Sequence, residues 1–572
     1  MSTNQLPHTF LPPQGISDFR ALCEGGYYYV DKSHFITELT ALPAAILLIP
    51  RPRRFGKTLN MTTLMSWFER LPAGGTYAHL LDGLNVDLTP GKHHDKRGKL
   101  PVIFLSFKDI KETSWEGTFE KISSLIRAEV IRLSPWWESL ALHPAIREQL
   151  YELRSGSASP ALLSNSLKLL TQALAESSGQ LPLLLVDEYD TPIQAGVESG
   201  FFKEVVGFFR NFLSAGLKDN RFLWKGVLTG ILRVSKENLF SGLNNITVFS
   251  LTDIEFATCF GLREGEVEKL LSDAGLSERL EEVRDWYNGY LFGDERIYNP
   301  WSLISYVARP QQGCQPHWVN TASTALVGKA IADAEGILQR ELEDLLNGGT
   351  IEKSIDDHIS YYPEGIRPTD VWSFLLHTGY LTLAERPRPD RNGLPVAKLK
   401  IPNQEVYLAY RKLITEWIGT NLGGDTNALA MLQALATGNE PLFTRHFTRL
   451  VATVLSFHDV YPETTESFYH AFVTGMLVFL SHTHYIRSNR ESGFGRYDVM
   501  LEPHDKATYP GVIIEFKLAA KTELLAEILE SAHKQIIDKQ YATELRDKGC
   551  ARIIQWGIVF SGKDVLVSVR EG

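Results

Sequence analysis

Between residues 44 and 230 the chain alternates short aliphatic runs with longer amphipathic stretches. Ala44–Ile49, Val102–Phe107, Leu181–Val186 and Trp224–Leu228 are dominated by apolar residues with no clean period of two, the pattern of strands buried on both faces. The stretches between them, Leu59–Phe68, Phe119–Leu133 and Phe201–Leu217, place apolar residues three and four apart and predict helices. Strand and helix in regular alternation predict an α/β domain whose parallel sheet is covered by helices, an architecture suited to a mononucleotide.

From about Thr252 to Thr369 the strand signals give way to helical periodicity, as in Glu264–Ala274, Glu278–Trp286 and Leu338–Leu346, which predicts a mostly helical middle. A helix at Val371–His377, a stop at Gly379 and strands at Tyr380–Ala384 and Val396–Ile401 flank the charged turn Glu385–Gly393. That order suggests a winged-helix element. From about Phe443 mixed α/β patterning returns: a helix to Leu480, a strand ending near Leu501, a strand at Gly511–Phe516, a helix at Lys521–Gln540 and a strand at Arg552–Phe560. The expected domains are 1–250, 251–442 and 443–572.

At 572 residues with 44% apolar and 22% charged positions, a single small module and a disordered chain are both excluded. The 58 basic against 68 acidic side chains leave a net charge of -10, so any nucleic-acid contact must come from local patches. Cys23, Cys259, Cys314 and Cys550 are scattered and form no C-x-x-C pair, which fits a reducing compartment. No basic stretch followed by an apolar one opens the chain, and no apolar window is long enough for a membrane span; a cytoplasmic protein without a membrane partner is expected.

Two constellations carry chemistry. The first begins where the run Ala44–Ile49 enters Pro50-Arg51-Pro52-Arg53-Arg54-Phe55-Gly56-Lys57-Thr58 and a helical pattern starts at Leu59. Strand, loop and helix in this order make a phosphate cradle: a lysine meets the β and γ groups, and a hydroxyl holds Mg²⁺. Arg54, Phe55, Gly56, Lys57, Thr58 and Leu59 are its expected members. Arg51 stands where the P-loop pattern asks for glycine, and Pro50 and Pro52 remove two N–H donors. Arg51, Arg53 and Arg54 are expected to offer positive charge to a triphosphate or a nucleic-acid backbone. Leu181–Val186 ends in Asp187 and Glu188, at the strand edge where ligands bind in parallel sheets. There Asp187 can hold Mg²⁺ and Glu188 can orient or deprotonate water. Thr229, ending the next strand, can sense the γ-phosphate. Arg233 reads either as an arginine finger, in cis or from another subunit of a homo-oligomer, or as a plain surface residue.

The second constellation lies near the end of the chain. Asp498 belongs to one strand, and Glu515 and Lys517 share a face of the next, where they can meet Asp498 across a hairpin. Two carboxylates and a lysine would hold one or two Mg²⁺ ions, with Mn²⁺ as a substitute, and position water against a phosphodiester. Lys92-His93-His94-Asp95 lacks further ligands and reads as an exposed loop. Trp286, Tyr287, Tyr290 and Trp301 read as core rather than as a base-stacking surface.

Tyr28-Tyr29-Val30-Asp31-Lys32-Ser33, the Arg51 to Thr58 loop, Val186-Asp187-Glu188-Tyr189-Asp190, Phe240-Ser241-Gly242-Leu243-Asn244-Asn245 and Trp286-Tyr287-Asn288-Gly289-Tyr290 resemble the bacterial AAA-ATPase-like family across roughly Leu11 to Tyr306. The resemblance implies a P-loop NTPase that binds ATP, makes Arg51 a family feature, and puts Tyr29, Asp31 and Lys32 near the nucleotide. Residues from about Glu463 to Leu566 resemble the PD-(D/E)xK nuclease superfamily, with a restriction-endonuclease-like α/β fold. That likeness implies Asp498 and Glu515 as metal ligands and Lys517 as the catalytic lysine. It also makes Gln535 a supporting residue of the following helix. For a further acidic ligand Glu466 is preferred over Glu491; the alternative for Glu466 is a solvated helix position. The expected function is an ATP-dependent nuclease acting on nucleic acid, DNA foremost, with prokaryotic defence as a setting the pairing suggests. The alternative is a nucleotide-switched regulator or scaffold that binds nucleic acid without cutting it.

Overall fold

The computed structural model describes residues 10–138, 142–232, 245–318, 341, 344–346, 348–356, 359, 367–391, 395–410, 412–413, 424–454, 473, 476–477, 480, 483–488, 491–492, 495–496, 498–519, 524–561 and 564–572. The chain divides into two compact units, Met1–Thr321 with Glu352–Val406, and Ala322–Ile351 with Tyr407–Gly572. The stretch 251–442 is shared between them.

In the first unit, helix α1 (His34–Ala41) precedes strand β1 (Ile46–Pro50), and helix α2 (Lys57–Phe68) follows the loop. Strand β2 (Val102–Ser106) leads to α3 (Trp115–Arg132), then come β3 (Leu183–Asp187), α4 (Phe202–Leu217), β4 (Lys225–Gly230) and β5 (Ile246–Val248). The five strands form one parallel sheet in the order β2-β3-β4-β1-β5. β1, β3 and β4 are buried along their whole length, which is why their sequences do not alternate. Because β4 lies between β1 and β3, the loop after β1 and the carboxylates ending β3 open onto the same edge, with Thr229 of β4 between them.

The middle is richer in strand than its periodicity predicts. β6 (Leu262–Arg263), β7 (Tyr290–Phe292) and β8 (Glu295–Tyr298) form a small sheet in the order β6-β8-β7, beside α5 (Glu264–Asp273), α6 (Leu280–Tyr287) and α7 (Pro300–Ala308). Strands of two to four residues are too short to show a period of two. Of the aromatic segment, Tyr287 and Tyr290 are core, while Trp286 and Trp301 are only partly buried. Most of Leu338–Leu346 lies outside the described residues. Further on, β9 (Ile351–Ser354), α8 (Val371–Thr378), β10 (Thr382–Leu383), β11 (Arg388–Pro389) and β12 (Pro395–Lys400) follow. β10 and β12 pair antiparallel after the helix, and Gly379 ends α8 at φ 90°, a left-handed cap suited to glycine.

In the second unit, α9 (Asp425–Thr437) and α10 (Glu440–Val454) precede a mixed sheet. Its strands are β13 (His484–Ser488), β16 (Val499–Pro503), β17 (Gly511–Leu518), β18 (Ile553–Ser561) and β19 (Asp564–Glu571), in that order; the short β14 (Glu491–Ser492) and β15 (Gly495–Arg496) pair with each other. Only β17 and β18 are parallel neighbours, and their crossover is α11 (Leu525–Asp538) followed by α12 (Ala542–Asp547). One sheet face, with Met500 and Ile513, packs on Ile536, Tyr541 and Leu545. On the other face the Trp556 indole donates to Leu435 O at 2.9 Å, with Phe443 against its ring.

Candidate functional site

The nucleotide-type site is built at the carboxyl edge of the parallel sheet. Gly56 takes φ 82° and starts α2 with no side-chain cap and no acidic residue in the first turn. The first N–H groups of the helix therefore face the space before the loop, and a Cβ at Gly56 would meet nothing within 4 Å. Such an end attracts anions. Lys57, 3% exposed, donates its Nζ to Arg51 O at 3.1 Å and Pro52 O at 3.0 Å, and lies 4.0 Å from Glu188 Oε1. Burial pulls the ammonium below its ordinary value, while Glu188, Asp190 and Asp187 hold it up.

Asp187 is the hub of the edge. Its Oδ2 accepts from Thr58 Oγ1 at 2.7 Å and Ser106 Oγ at 3.0 Å, and its Oδ1 accepts from Thr229 Oγ1 at 2.8 Å. Burial, then the neighbouring Glu188, push this carboxyl up. A divalent cation beside Thr58 and Asp187 would relieve that penalty, and a hydroxyl next to a buried carboxylate is a hard-oxygen donor set that fits Mg²⁺. Glu188 has φ 50°, an uncommon backbone conformation outside glycine, at the point where the chain leaves β3.

Asp190 and Ser106 escaped the sequence reading. Asp190 Oδ2 accepts from the N–H groups of Ile231 and Leu232 at 2.9 and 3.1 Å, and Tyr189 Oη donates to Leu232 O at 2.7 Å. They tie the carboxylate segment to the end of β4, where a Cβ on Gly230 would sit 2.6 Å from Asp190 Oδ1. Ser106 carried the same signal as Thr229, a polar residue closing a buried strand.

The three arginines of the loop do different things. Arg51 does not face the loop's open side. It is fully buried, donating from Nη1 to Pro50 O, Phe249 O and Ser250 O and from Nη2 to Phe256 O, beside the rings of Phe260 and Phe292. Burial pushes its guanidinium down to about 10. The four backbone carbonyls that it meets account for its direction. Arg53 donates to Gln194 Oε1 at 2.7 Å. Arg54, exposed and at φ 69°, lies over the Trp301 ring at 4.1 Å, a cation–π contact. Phe55 is anchored against Tyr290 and Phe292.

The loop is also held from above. Trp318 Nε1 donates to Arg53 O at 3.3 Å, and the Trp318 N–H donates to Glu405 Oε1 at 2.7 Å. Glu405 is 1% exposed, its two oxygens share the single Ser302 hydroxyl proton, and it is pushed up to about 7 by burial against its hydrogen bonds. A carboxyl raised in the folded state stabilises fully below its unfolded value of about 4.3, and that contribution is lost as pH rises through about 7. Between pH 5 and 8 the wild-type chain should therefore lose up to about 3 kcal/mol relative to Glu405→Gln. Urea unfolding of both across that range checks it; parallel curves would refute it.

Tyr29 and Asp31 bond elsewhere than the loop. Tyr29 Oη accepts from the Lys32 N–H at 3.2 Å and bonds Thr63, and Asp31 accepts from the Ser33 and Asn85 N–H groups. Lys32 pairs with Glu266 at 2.6 Å. Arg233 and residues 240–244 lie outside the described residues. His93, expected in an exposed loop, is 1% exposed with Nε2 at 2.8 Å from Val86 O.

The second site forms where β16 begins beside the end of β17. Val499 pairs with Ile514, so Asp498, one residue before the strand, reaches the Phe516 N–H, which donates to its Oδ2 at 2.7 Å. Glu515, 1% exposed, accepts from Lys517 Nζ at 2.8 Å, a contact open to residues two apart on one face of a strand. Gln535 Nε2 of α11 donates to Tyr541 Oη at 3.3 Å. Burial raises the Tyr541 phenol; Glu515 and Asp498 add to that, and Lys517 opposes it. Gln535 and Tyr541 thus border the charged trio. The two carboxylates form an oxygen donor set that fits a hard divalent cation, with the Lys517 ammonium beside it. Glu466 lies outside the described residues, and of Glu491 only its place in β14 is described.

Residues 13–240 match the family described as a predicted AAA-ATPase, AAA-ATPase-like, and residues 464–569 match the PD-(D/E)XK nuclease superfamily. The chain joins an AAA-ATPase-like domain to a PD-(D/E)XK superfamily domain. Over 549 residues, 94% of each chain, it is similar at 26% identity to an Azotobacter chroococcum mcd 1 protein described as "Uncharacterized protein in vnfD 5'region". Among the described residues of the AAA-ATPase-like and PD-(D/E)XK domains, no helix is long and apolar enough to cross a membrane.

Proposed function

We propose that the chain is an ATPase coupled to a metal-dependent nuclease. The observation that carries this reading is the convergence of Asp498, Glu515 and Lys517 at the β16–β17 edge, in a chain that also sets Thr58 against Asp187. In the AAA-ATPase-like domain, residues 1–250 in this reading, Lys57 and the N-terminus of α2 neutralise the β and γ phosphates. Thr58 and Asp187 would hold Mg²⁺. Glu188, 4.0 Å from Lys57, orients or deprotonates the attacking water, and Thr229 reports on the γ-phosphate through Asp187. In the nuclease domain, residues 443–572, Asp498 and Glu515 would hold Mg²⁺ or Mn²⁺, which supplies Lewis-acid charge at the scissile phosphate when bound. Lys517 positions the hydrolytic water, and Gln535 with Tyr541 fixes the wall behind it. Residues 251–442 would connect the two, and DNA is the preferred substrate.

Purified protein incubated with labelled duplex and single-stranded oligonucleotides, with and without ATP and with Mg²⁺ or Mn²⁺, tests this directly. Metal-dependent cleavage that ATP changes is the expected result. A chain that binds ATP and DNA but turns over neither would instead be a nucleotide-switched scaffold.

A further inference from the structure

A further cluster of ionisable groups in the first unit lies behind α2. α1 places His34 and Glu38 four residues apart, on one helix face. Cys259 approaches that face from the segment before β6. One ligand atom from each of His34, Glu38 and Cys259 lies within 4.8 Å of the other two. Cys259 is fully buried, whereas His34 and Glu38 are partly exposed.

Several contacts hold these three groups in place. Glu38 Oε2 accepts from the Phe256 N–H at 2.9 Å, and the Cys259 thiol bonds the same carboxylate. His34 Nε2 lies 3.1 Å from Thr258 Oγ1. Phe256 itself takes φ 60° and is wedged against Phe35 and Phe249. The cations nearby are already engaged: Lys32 Nζ on Glu266 and Thr258 O, Arg51 on its four carbonyls.

We propose that His34, Glu38 and Cys259 bind a zinc-like divalent transition metal, with water from the exposed side as fourth ligand. An imidazole, a carboxylate and a sulfur form a mixed, borderline-soft set. Such a set selects Zn²⁺ or Co²⁺ over Mg²⁺ and Ca²⁺, which take oxygen alone. Ligands about 2.0–2.3 Å from zinc stand roughly 3.3–3.8 Å apart in a tetrahedron, so closing the cluster needs side-chain rotation only. Binding converts the Cys259 thiol to a thiolate and releases one proton to solvent. The metal with one thiolate and one carboxylate is then neutral, where the empty thiol and carboxylate carry one negative charge, so binding adds a single positive charge beside Lys32 and Arg51.

The site would bear on the loop from behind. Asn60, three residues after Lys57, donates Nδ2 to Cys259 O at 2.8 Å, and the Gly261 N–H donates to Phe55 O at 3.3 Å. A metal that fixes Cys259 thus fixes the support of α2.

The test uses the full chain carrying Asp498→Asn, so that the nuclease site does not confuse the count, stripped with chelator and reloaded with Zn²⁺ or Co²⁺. One equivalent retained after desalting is expected, with a sulfur-to-cobalt charge-transfer band, release of one proton and a raised melting temperature with Zn²⁺. Cys259→Ser and His34→Gln should each lose the equivalent and the thermal shift, and Cys259→Ser the band, whereas Cys23→Ser keeps all three. His34 is partly exposed, so His34→Gln serves if the buried substitution fails to fold. No retained metal in the parent chain, or retention unchanged in both cluster variants, overturns the proposal.

Discussion

Asp498→Asn and Glu515→Gln should each lower metal-dependent phosphodiester cleavage by about 10³-fold, since each removes a negative charge that would hold the cation where charge builds up in the transition state. The fold should survive both changes. The amide introduced by Asp498→Asn retains an oxygen to accept from the Phe516 N–H, and Glu515→Gln keeps the shape of a side chain that is 1% exposed. Lys517→Met should give a comparable loss of turnover while metal-dependent DNA binding persists, because Lys517 donates to Glu515 and holds no metal itself. ATP turnover in all three variants reports whether the other site is intact. Cleavage at wild-type rate in Asp498→Asn would remove the trio from the mechanism.

Lys57→Ala and Glu188→Gln should separate binding from chemistry at the first site. Lys57 is the buried cation at the mouth of α2, and its loss should weaken ATP binding and reduce turnover by about 10²–10³-fold. Glu188→Gln keeps the cradle and removes the base, so ATP should still bind while hydrolysis falls by about 10²–10⁴-fold. Fluorescent-nucleotide titration alongside phosphate release distinguishes the two patterns. If Glu188→Gln hydrolyses ATP normally, the base lies elsewhere. Nuclease assays on the same pair show whether binding alone or turnover controls cleavage: a scheme gated by binding predicts that Glu188→Gln still cuts with ATP present.

The parts of these sites that could be read in the sequence are those where one-dimensional order maps onto strand geometry. A run of aliphatics ending in Asp187 must present that carboxylate at the sheet edge, and Glu515 and Lys517 must share a face. Residue-by-residue spacing also carried Asp498 to its partner, because the β16–β17 pairing is local. What could not be read depends on long-range packing. The direction of Arg51 is set by carbonyls of residues 249, 250 and 256, about two hundred positions away. The grip of Asp190 on residues 231 and 232 depends on β3 lying beside β4. The strands β6, β7 and β8 are too short to carry a pattern, and β19 buries only Val567. Tyr29 and Asp31 came from likeness alone, and their bonds lead to Thr63, Ser33 and Asn85.

Arg51 in place of the pattern's glycine, with Pro52 and Phe55 beside it, turns a hinge into a splint. Arg53 is tethered through its carbonyl to Trp318, Arg54 leans on Trp301, and Pro52 lies against Gly379, whose added Cβ would stand 3.1 Å from it. A glycine-rich turn can reshape itself around a triphosphate while its surroundings stand still. Here the same adjustment would drag two tryptophans and the end of α8, so a nucleotide bound there would be felt outside the cradle.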